Sequence, residues 1–286
     1  MSLLSRIPRR WLLALGAAIG WLIWALRIRR RVVLSNLALA FPEKSEAERR
    51  AIARATYRHL GETAFEFLRV PDLRPEELDR LFVYEGWENY EKARARGKGV
   101  IAATAHFGNF EVLAAAHTLR GVPISTISRG MRGGTGGDAL WTATRKRSGV
   151  VELVIRRGQT YKAAVAALRS GRVLGYVIDQ SEASRSAIFP TFFGVPCATA
   201  PTPAVLAWRT GAATVFALSV PLPDGRHRVI IEGPLDPPDT GDRERDALAF
   251  MQDLNDRLER HVRAHPDRWY WLHRRWKRRG PGPAAN

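Results

Sequence analysis

GVIAATAHFGNFEVLAAAHTLR, residues 99–120, sets a strand, a loop and a helix in immediate succession. The run GVIAATA (99–105) is short, apolar and glycine-bounded, as a strand buried on both faces is. Residues 108–120 read as the helix that follows it. His106 opens the loop between them, and Glu111 lies five positions on. In α/β proteins the carboxyl end of a strand is where ligands and reactive groups gather. A histidine there is suited to proton transfer near neutral pH.

If His106 stays in the loop and Glu111 joins the first helical turn, the carboxylate reaches back to an imidazole nitrogen. That contact would fix the tautomer and stabilise the imidazolium. Gly108 lets the backbone turn tightly between them. The spacing alone equally describes a loop histidine beside a helix-capping glutamate.

The same texture continues on both sides. VPISTIS (122–128), VVELVI (150–155) and RVLGYVID (172–179) alternate with helical stretches at 138–148 and 159–170. This alternation predicts an α/β fold whose sheet is largely parallel and flanked by helices. ATVFALSV (213–220) and HRVIIEG (227–233) flank the turn PLPDGR, which makes the sheet mixed through an antiparallel addition. A last helix near 242–264 ends before Pro266. Towards the N-terminus, Ile52, Leu60, Ala64, Phe65 and Leu68 recur at helical spacing behind a capping box formed by Ser45 and Glu48.

Residues Trp11 to Leu26, WLLALGAAIGWLIWAL, carry no charge, with arginines at 6, 9, 10, 27 and 29–31 around them. Sixteen residues fall just short of the roughly 17–25 that span a bilayer. Trp11, Trp21 and Trp24 suit interfacial anchoring. An arginine cluster stands where a cleaved signal peptide would need small residues. The reading is an N-terminal hydrophobic anchor helix with basic flanks over 1–31 and a single α/β domain over 32–286, with spanning or lying in the interface left open.

The 286 residues carry a net charge of +17. Seven arginines and no acid occupy residues 1–42, and six Lys/Arg and no acid occupy 268–286; residues 43–267 carry only +4. The basicity belongs to the ends, as in a protein pressed against an anionic membrane surface or one that binds nucleic acid. With 45% hydrophobic residues, disorder is excluded. The single Cys197 excludes an intrachain disulfide. No Ser or Cys nucleophile motif is present. GMRGGTGG (130–137) lacks the phosphate-loop pattern and reads as a loop. His261 and His265 lack a third metal ligand, so no metal is expected.

HFGNFE (106–111) resembles the HX4D/E signature of glycerolipid-type acyltransferases. The wider text resembles one branch, the late lauroyl and myristoyl acyltransferases of lipid A biosynthesis. NLALAFPEKS (36–45), GVIAATAHFGNFE (99–111), IDQS (178–181), FPTFFGVPCATAPTPAVLAWRTGA (189–212) and RWYWLHRRWKRR (268–279) match in family order.

The resemblance implies direct acyl transfer from a thioester, carried by acyl carrier protein or coenzyme A, to a hydroxyl of a lipid A precursor. No cofactor and no acyl-enzyme are implied. His106 would be the general base and Glu111 its orienting acid. Asp179 and Gln180 would lie at the site, and Arg145, Arg147, Arg129 and Asn109 would contact substrate. Phe192, Phe193, Val195 and Pro196 suit either an acyl channel or the core. The expected place is the bacterial inner membrane, with the domain on the cytoplasmic side because Arg27 to Arg31 adjoin it. The aromatic and basic tail 269–279 would then sit at headgroup level, with no nucleic acid bound. SEASRSA after Gln180 departs from the aromatic and glycine many members carry there. That keeps a lysophospholipid or glycolipid acyltransferase as an alternative. A membrane-tethered basic protein without catalysis is the reading from another class.

Overall fold

The computed structural model describes residues 7–128, 136–154 and 159–280. Its strands are β1 (Phe82–Glu85), β2 (Val100–Thr104), β3 (Ile124–Ser128), β4 (Val151–Val154), β5 (Val173–Val177), β6 (Thr191–Phe192), β7 (Val195–Pro196), β8 (Ala213–Pro221) and β9 (His227–Leu235). Seven of them form one sheet in the order β1-β9-β8-β2-β5-β3-β4, and β6 and β7 make a separate hairpin. Every pairing in the large sheet is parallel except β8 with β9. The mixed, largely parallel sheet is the one the alternating pattern predicts.

The helices are α1 (Arg9–Ala25), α2 (Arg30–Ala40), α3 (Glu46–Arg69), α4 (Pro75–Leu81), α5 (Trp87–Ala95), α6 (Phe110–Leu119), α7 (Gly136–Arg147), α8 (Thr160–Arg169), α9 (Thr202–Thr210) and α10 (Arg243–Ala264). Successive strand residues face opposite ways, so each strand feeds two cores. Val100, Val173 and Val215 pack with residues of α5 and α6, whereas Ile101 and Leu174 pack with residues of α8 and α9. A third core joins α2, α3 and α10 to the C-terminal tryptophans.

The N-terminal helix is fastened to the rest of the chain by glycine. Gly16 and Gly20 of α1 meet Gly61 of α3 with their backbones touching. A Cβ on Gly61 would lie 1.9 Å from the Gly16 carbonyl oxygen, and one on Gly20 2.1 Å from that of Tyr57. Only hydrogen in place of a side chain permits that approach. Leu12, Gly16, Gly20 and Trp24 form the buried face, while Trp11, Leu15, Ile19, Leu22 and Leu26 remain exposed. Arg9 adds an ion pair to Glu66 of α3. Among the described residues no single helix is long and apolar enough to cross a membrane. The α1–α2 pair passes that test only across a 91° bend.

Candidate active site

Register brings the two central groups together. Thr104, the last residue of β2, pairs with Val177, the last of β5, and the Ile178 N–H extends the ladder to the Thr104 carbonyl. His106 and Asp179 each lie two residues beyond that pair, so the parallel strands deliver them side by side. The loop then turns at Gly108 (φ 56°). There an added Cβ would fall 1.6 Å from the Ser219 carbonyl oxygen, so the turn is closed to every other residue.

The His106 ring Nδ1 donates to Asp179 Oδ1 at 2.8 Å, and the His106 backbone N–H donates to Oδ2 at 3.0 Å. Trp269 Nε1 donates to the same Oδ2 at 2.7 Å. Holding the Nδ1 proton on this carboxylate leaves Nε2 with its lone pair free. The Gln180 amide lies 3.4 Å from it. Burial disfavours the imidazolium, but the Asp179 charge and hydrogen bond outweigh it and Glu111 adds to them; the His106 pKa is raised. Burial likewise works against the Asp179 carboxylate. His106 and Trp269 reverse it, and the Asp179 pKa is lowered.

Glu111 is where the orienting contact departs from expectation. Its carboxylate accepts from Arg145 Nε at 2.9 Å, from the other prong of the same guanidinium, and from Trp141 Nε1 at 3.1 Å. The carboxylate that grips His106 is Asp179, because strand register places it nearer than the first turn of α6 places Glu111. Arg145 also pairs with Glu152. Its Nε and one N–H of each remaining nitrogen are thus engaged, leaving one N–H on each.

The other expected contacts divide. Gln180 and Arg145 line the cavity described below. Arg147 turns away to Asp72, at 2.6 Å. Asn109 is buried as the cap of α6: its oxygen accepts from the Val112 N–H at 3.2 Å and its amide donates to Glu66 at 2.8 Å. It braces the loop and lies off the wall of that cavity. Arg129 lies outside the described residues, as do most of the glycines of 130–137.

Several supports carry no motif in sequence. Glu66 takes Asn109 and Arg9, and His227 Nε2 stands 3.0 Å from it, outside hydrogen-bonding alignment. Burial opposes ionisation of Glu66, yet His227 and then Arg9 hold its pKa at about 2. His59 contacts the Gly108 carbonyl at 3.2 Å and Arg268 at 3.0 Å. Burial, with Arg268 adding, pushes His59 to about 3, so it stays neutral.

The C-terminal tail also belongs to the site's frame. Trp269, Trp271 and Trp276 are buried, and Arg275, 1% exposed, donates to the carbonyls of Gln180 and Ala198 and to Thr199 Oγ1. The expected free basic patch is therefore partly structural. A composition of Trp and Arg does not reveal which cations find backbone acceptors. Phe192 and Phe193 are core, packed against Trp269, Trp271 and Trp276, and lie off the cavity wall. His261 pairs with Glu232 of β9.

The open edge of His106, whose side chain is 21% exposed, faces a cavity of about 410 Å³. Leu113, Ala114, Val122, Ile124, Val215 and Ile231 give it apolar walls, and His106, Glu111, Arg145 and Gln180 form its polar end. An apolar slot with a few convergent polar groups at one end is suited to a hydrocarbon chain carrying a reactive head.

Comparison with known proteins accords with this layout. Residues 1–278 match the family described as "Bacterial lipid A biosynthesis acyltransferase". The chain is 28% identical to the lipid A biosynthesis lauroyltransferase of Escherichia coli over 96% of this chain and 94% of that one. It is 27% identical to the palmitoleoyltransferase of the same organism, over 97% and 95%. It is also 27% identical to the myristoyltransferase of that organism, over 88% and 76%. The chain belongs to the bacterial lipid A biosynthesis acyltransferases and is an acyltransferase.

Proposed function

We propose that the protein transfers a fatty acyl chain from a thioester donor, an acyl carrier protein or coenzyme A conjugate, to a hydroxyl of a lipid A precursor. The observation that carries this reading is the free Nε2 of His106, held by Asp179 at the polar end of an apolar cavity. The acyl chain lies along the cavity with its thioester carbonyl beside His106. The acceptor O–H gives its proton to Nε2 as its oxygen attacks the carbonyl carbon. Asp179 stabilises the imidazolium that forms. A remaining N–H of Arg145 meets the negative charge on the carbonyl oxygen, and Glu111 and Glu152 fix the guanidinium for that task. The C–S bond then breaks, and the imidazolium proton passes to the departing thiolate. Cys197 takes no part: it is buried among core residues, and burial raises its thiol pKa.

The reaction belongs at the inner-membrane surface, with the sheet on the cytoplasmic side. α1 is half packed on α3 and half exposed as Trp11, Leu15, Ile19, Leu22 and Leu26. That division supports a helix lying in the interface as an integral layer of the enzyme. The decisive experiment is acyl transfer in vitro, from lauroyl-loaded acyl carrier protein to a lipid A precursor, by wild type and His106→Ala. Transfer by the first and none by the second is expected; transfer to lysophospholipid alone would move the acceptor to the alternative class.

A further inference from the structure

The corner between α1 and α2 forms a concavity lined almost wholly by arginine. Five arginines, Arg27, Arg29, Arg30, Arg31 and Arg50, line a hollow of about 650 Å³ with two aliphatic side chains. Arg50 is paired with Glu46, and Arg30 stacks on Trp24 with its guanidinium carbon 4.1 Å from the ring centroid. Among the described residues Arg27, Arg29 and Arg31 meet no acidic partner. Like charges gathered this closely repel one another, and an anion in the hollow would relieve that.

The backbone there is fixed and adds to the field. Arg27 and Arg29 both adopt left-handed conformations, with φ of 60° and 56°, which costs a non-glycine residue about 1–2 kcal/mol. The Ile28 carbonyl between them accepts from the Tyr57 hydroxyl at 2.5 Å. α2 begins at Arg30 with no capping side chain and no acid in its first turn. The N–H groups of Arg30, Val32 and Val33 already have backbone acceptors, so what the helix end adds is the positive end of its dipole.

Position narrows the chemistry of the anion. The exposed apolar stripe of α1 runs through Leu22 to Leu26 and ends at this corner. A helix lying in a bilayer surface on that stripe brings the corner to the level of the lipid phosphates. Arginine forks match phosphate oxygens in pairs. α2 is tied to the tail segment beside the reaction centre: the Asn36 amide donates to the Trp271 and His273 carbonyls at 2.8 and 2.7 Å, and the Tyr270 ring lies 5.7 Å from that of His106.

We propose that the α1–α2 corner is a binding site for the phosphate monoester of a membrane lipid. The choice of a lipid rests on the acyl-transfer reading above; the anion site rests on the arginines alone. The test uses the full chain and vesicles of phosphatidylcholine, with and without phosphatidic acid, plus vesicles holding phosphatidylserine at equal surface charge. Wild type should prefer phosphatidic acid. The triple change Arg27→Asn, Arg29→Asn, Arg31→Gln keeps residues that tolerate the left-handed backbone and spares Arg30 on Trp24. It should weaken binding to phosphatidic acid on the order of a hundredfold, while binding to phosphatidylcholine alone is retained. Wild-type binding by the triple variant would overturn the proposal. So would full binding by Arg27→Lys, Arg29→Lys, Arg31→Lys, because diffuse charge would then suffice. In neutral detergent micelles, a raised KM for the lipid acceptor in the triple variant identifies the phosphate as the acceptor's; an unchanged KM identifies it as that of surrounding lipid. Loss of acyl transfer in every variant, wild type included, would count against the proposed function and leave the vesicle result standing.

Discussion

Asp179 grips His106 at two points, the ring Nδ1 at 2.8 Å and the backbone N–H at 3.0 Å. A carboxylate bonded to both the ring and the backbone fixes the tautomer and the position of the imidazole together. On the proposed mechanism catalysis requires His106 to be neutral, and its pKa is raised above the ordinary histidine value. The acid limb of kcat/KM against pH should accordingly fall above about pH 6.5. Asp179→Asn removes the charge and leaves burial, so the limb should move to lower pH while the plateau drops. A limb that does not move would show that Asp179 leaves the His106 pKa untouched.

The same pair has a stability profile of opposite sense to activity. The raised His106 stabilises below its unfolded pKa, about 6.5, and that contribution is lost as pH rises through the folded value. The lowered Asp179 stabilises above about 3.9 and loses its contribution as pH falls through the folded value. Both contributions are full only between about pH 4 and 6.5. Comparing denaturation midpoints of wild type and Asp179→Asn across that range checks the sign: their difference should be largest there and shrink on either side.

Glu111 and Arg145 form a nearly buried pair, with side chains 5% and 15% exposed. Glu111→Ala leaves the guanidinium with Glu152 alone and should destabilise the fold by about 3 kcal/mol as well as impair transfer. His106→Ala should abolish transfer and, measured above the folded pKa of His106, cost less stability than Glu111→Ala, because Asp179 keeps its Trp269 and backbone N–H donors. Denaturant midpoints of the two variants separate the roles; equal stability would show that Glu111 is not a structural partner of Arg145.

Ala114 of α6 lies in the cavity wall. Ala114→Leu should shorten the acyl chain the enzyme prefers, raising KM for long donors more than for short ones. Competition between donors of different length in one reaction reads this directly. A proportional loss for all lengths would mean that the chain lies elsewhere.

Gly61→Val places a branched side chain where the Gly16 carbonyl already sits. Overpacking of this kind costs about 1–3 kcal/mol, and here both helices must part. Deleting residues 1–31 should likewise give an unstable, poorly active protein, since α3 would lose its cover and Glu66 its Arg9. A stable, active, soluble truncation would contradict the integral role of α1.

Much of this was legible in the chain and some was not. The βα alternation around GVIAATA fixed the class of sheet, because buried parallel strands are short apolar runs. His106 stood out because it opens the loop at a strand's carboxyl end, where reactive groups gather. Its partner did not, because Glu111 is near in sequence while Asp179 is near only through the β2–β5 register, and register is a long-range property. Arg275 and Trp269 looked like surface groups for the same reason: their acceptors, Gln180 and Asp179, lie about 90 positions away in the chain. The glycines of α1 read as ordinary members of an apolar run until Gly61 is opposite them.

The central claim is that His106 and Asp179 act as one unit. The most direct measurement is a double-mutant cycle on kcat/KM for acyl transfer with His106→Ala, Asp179→Asn and both together. Each single change should cost on the order of 1,000-fold or more, and the pair hardly more than His106→Ala alone. Losses that multiply across the cycle would mean that the two residues work independently, and would contradict the account.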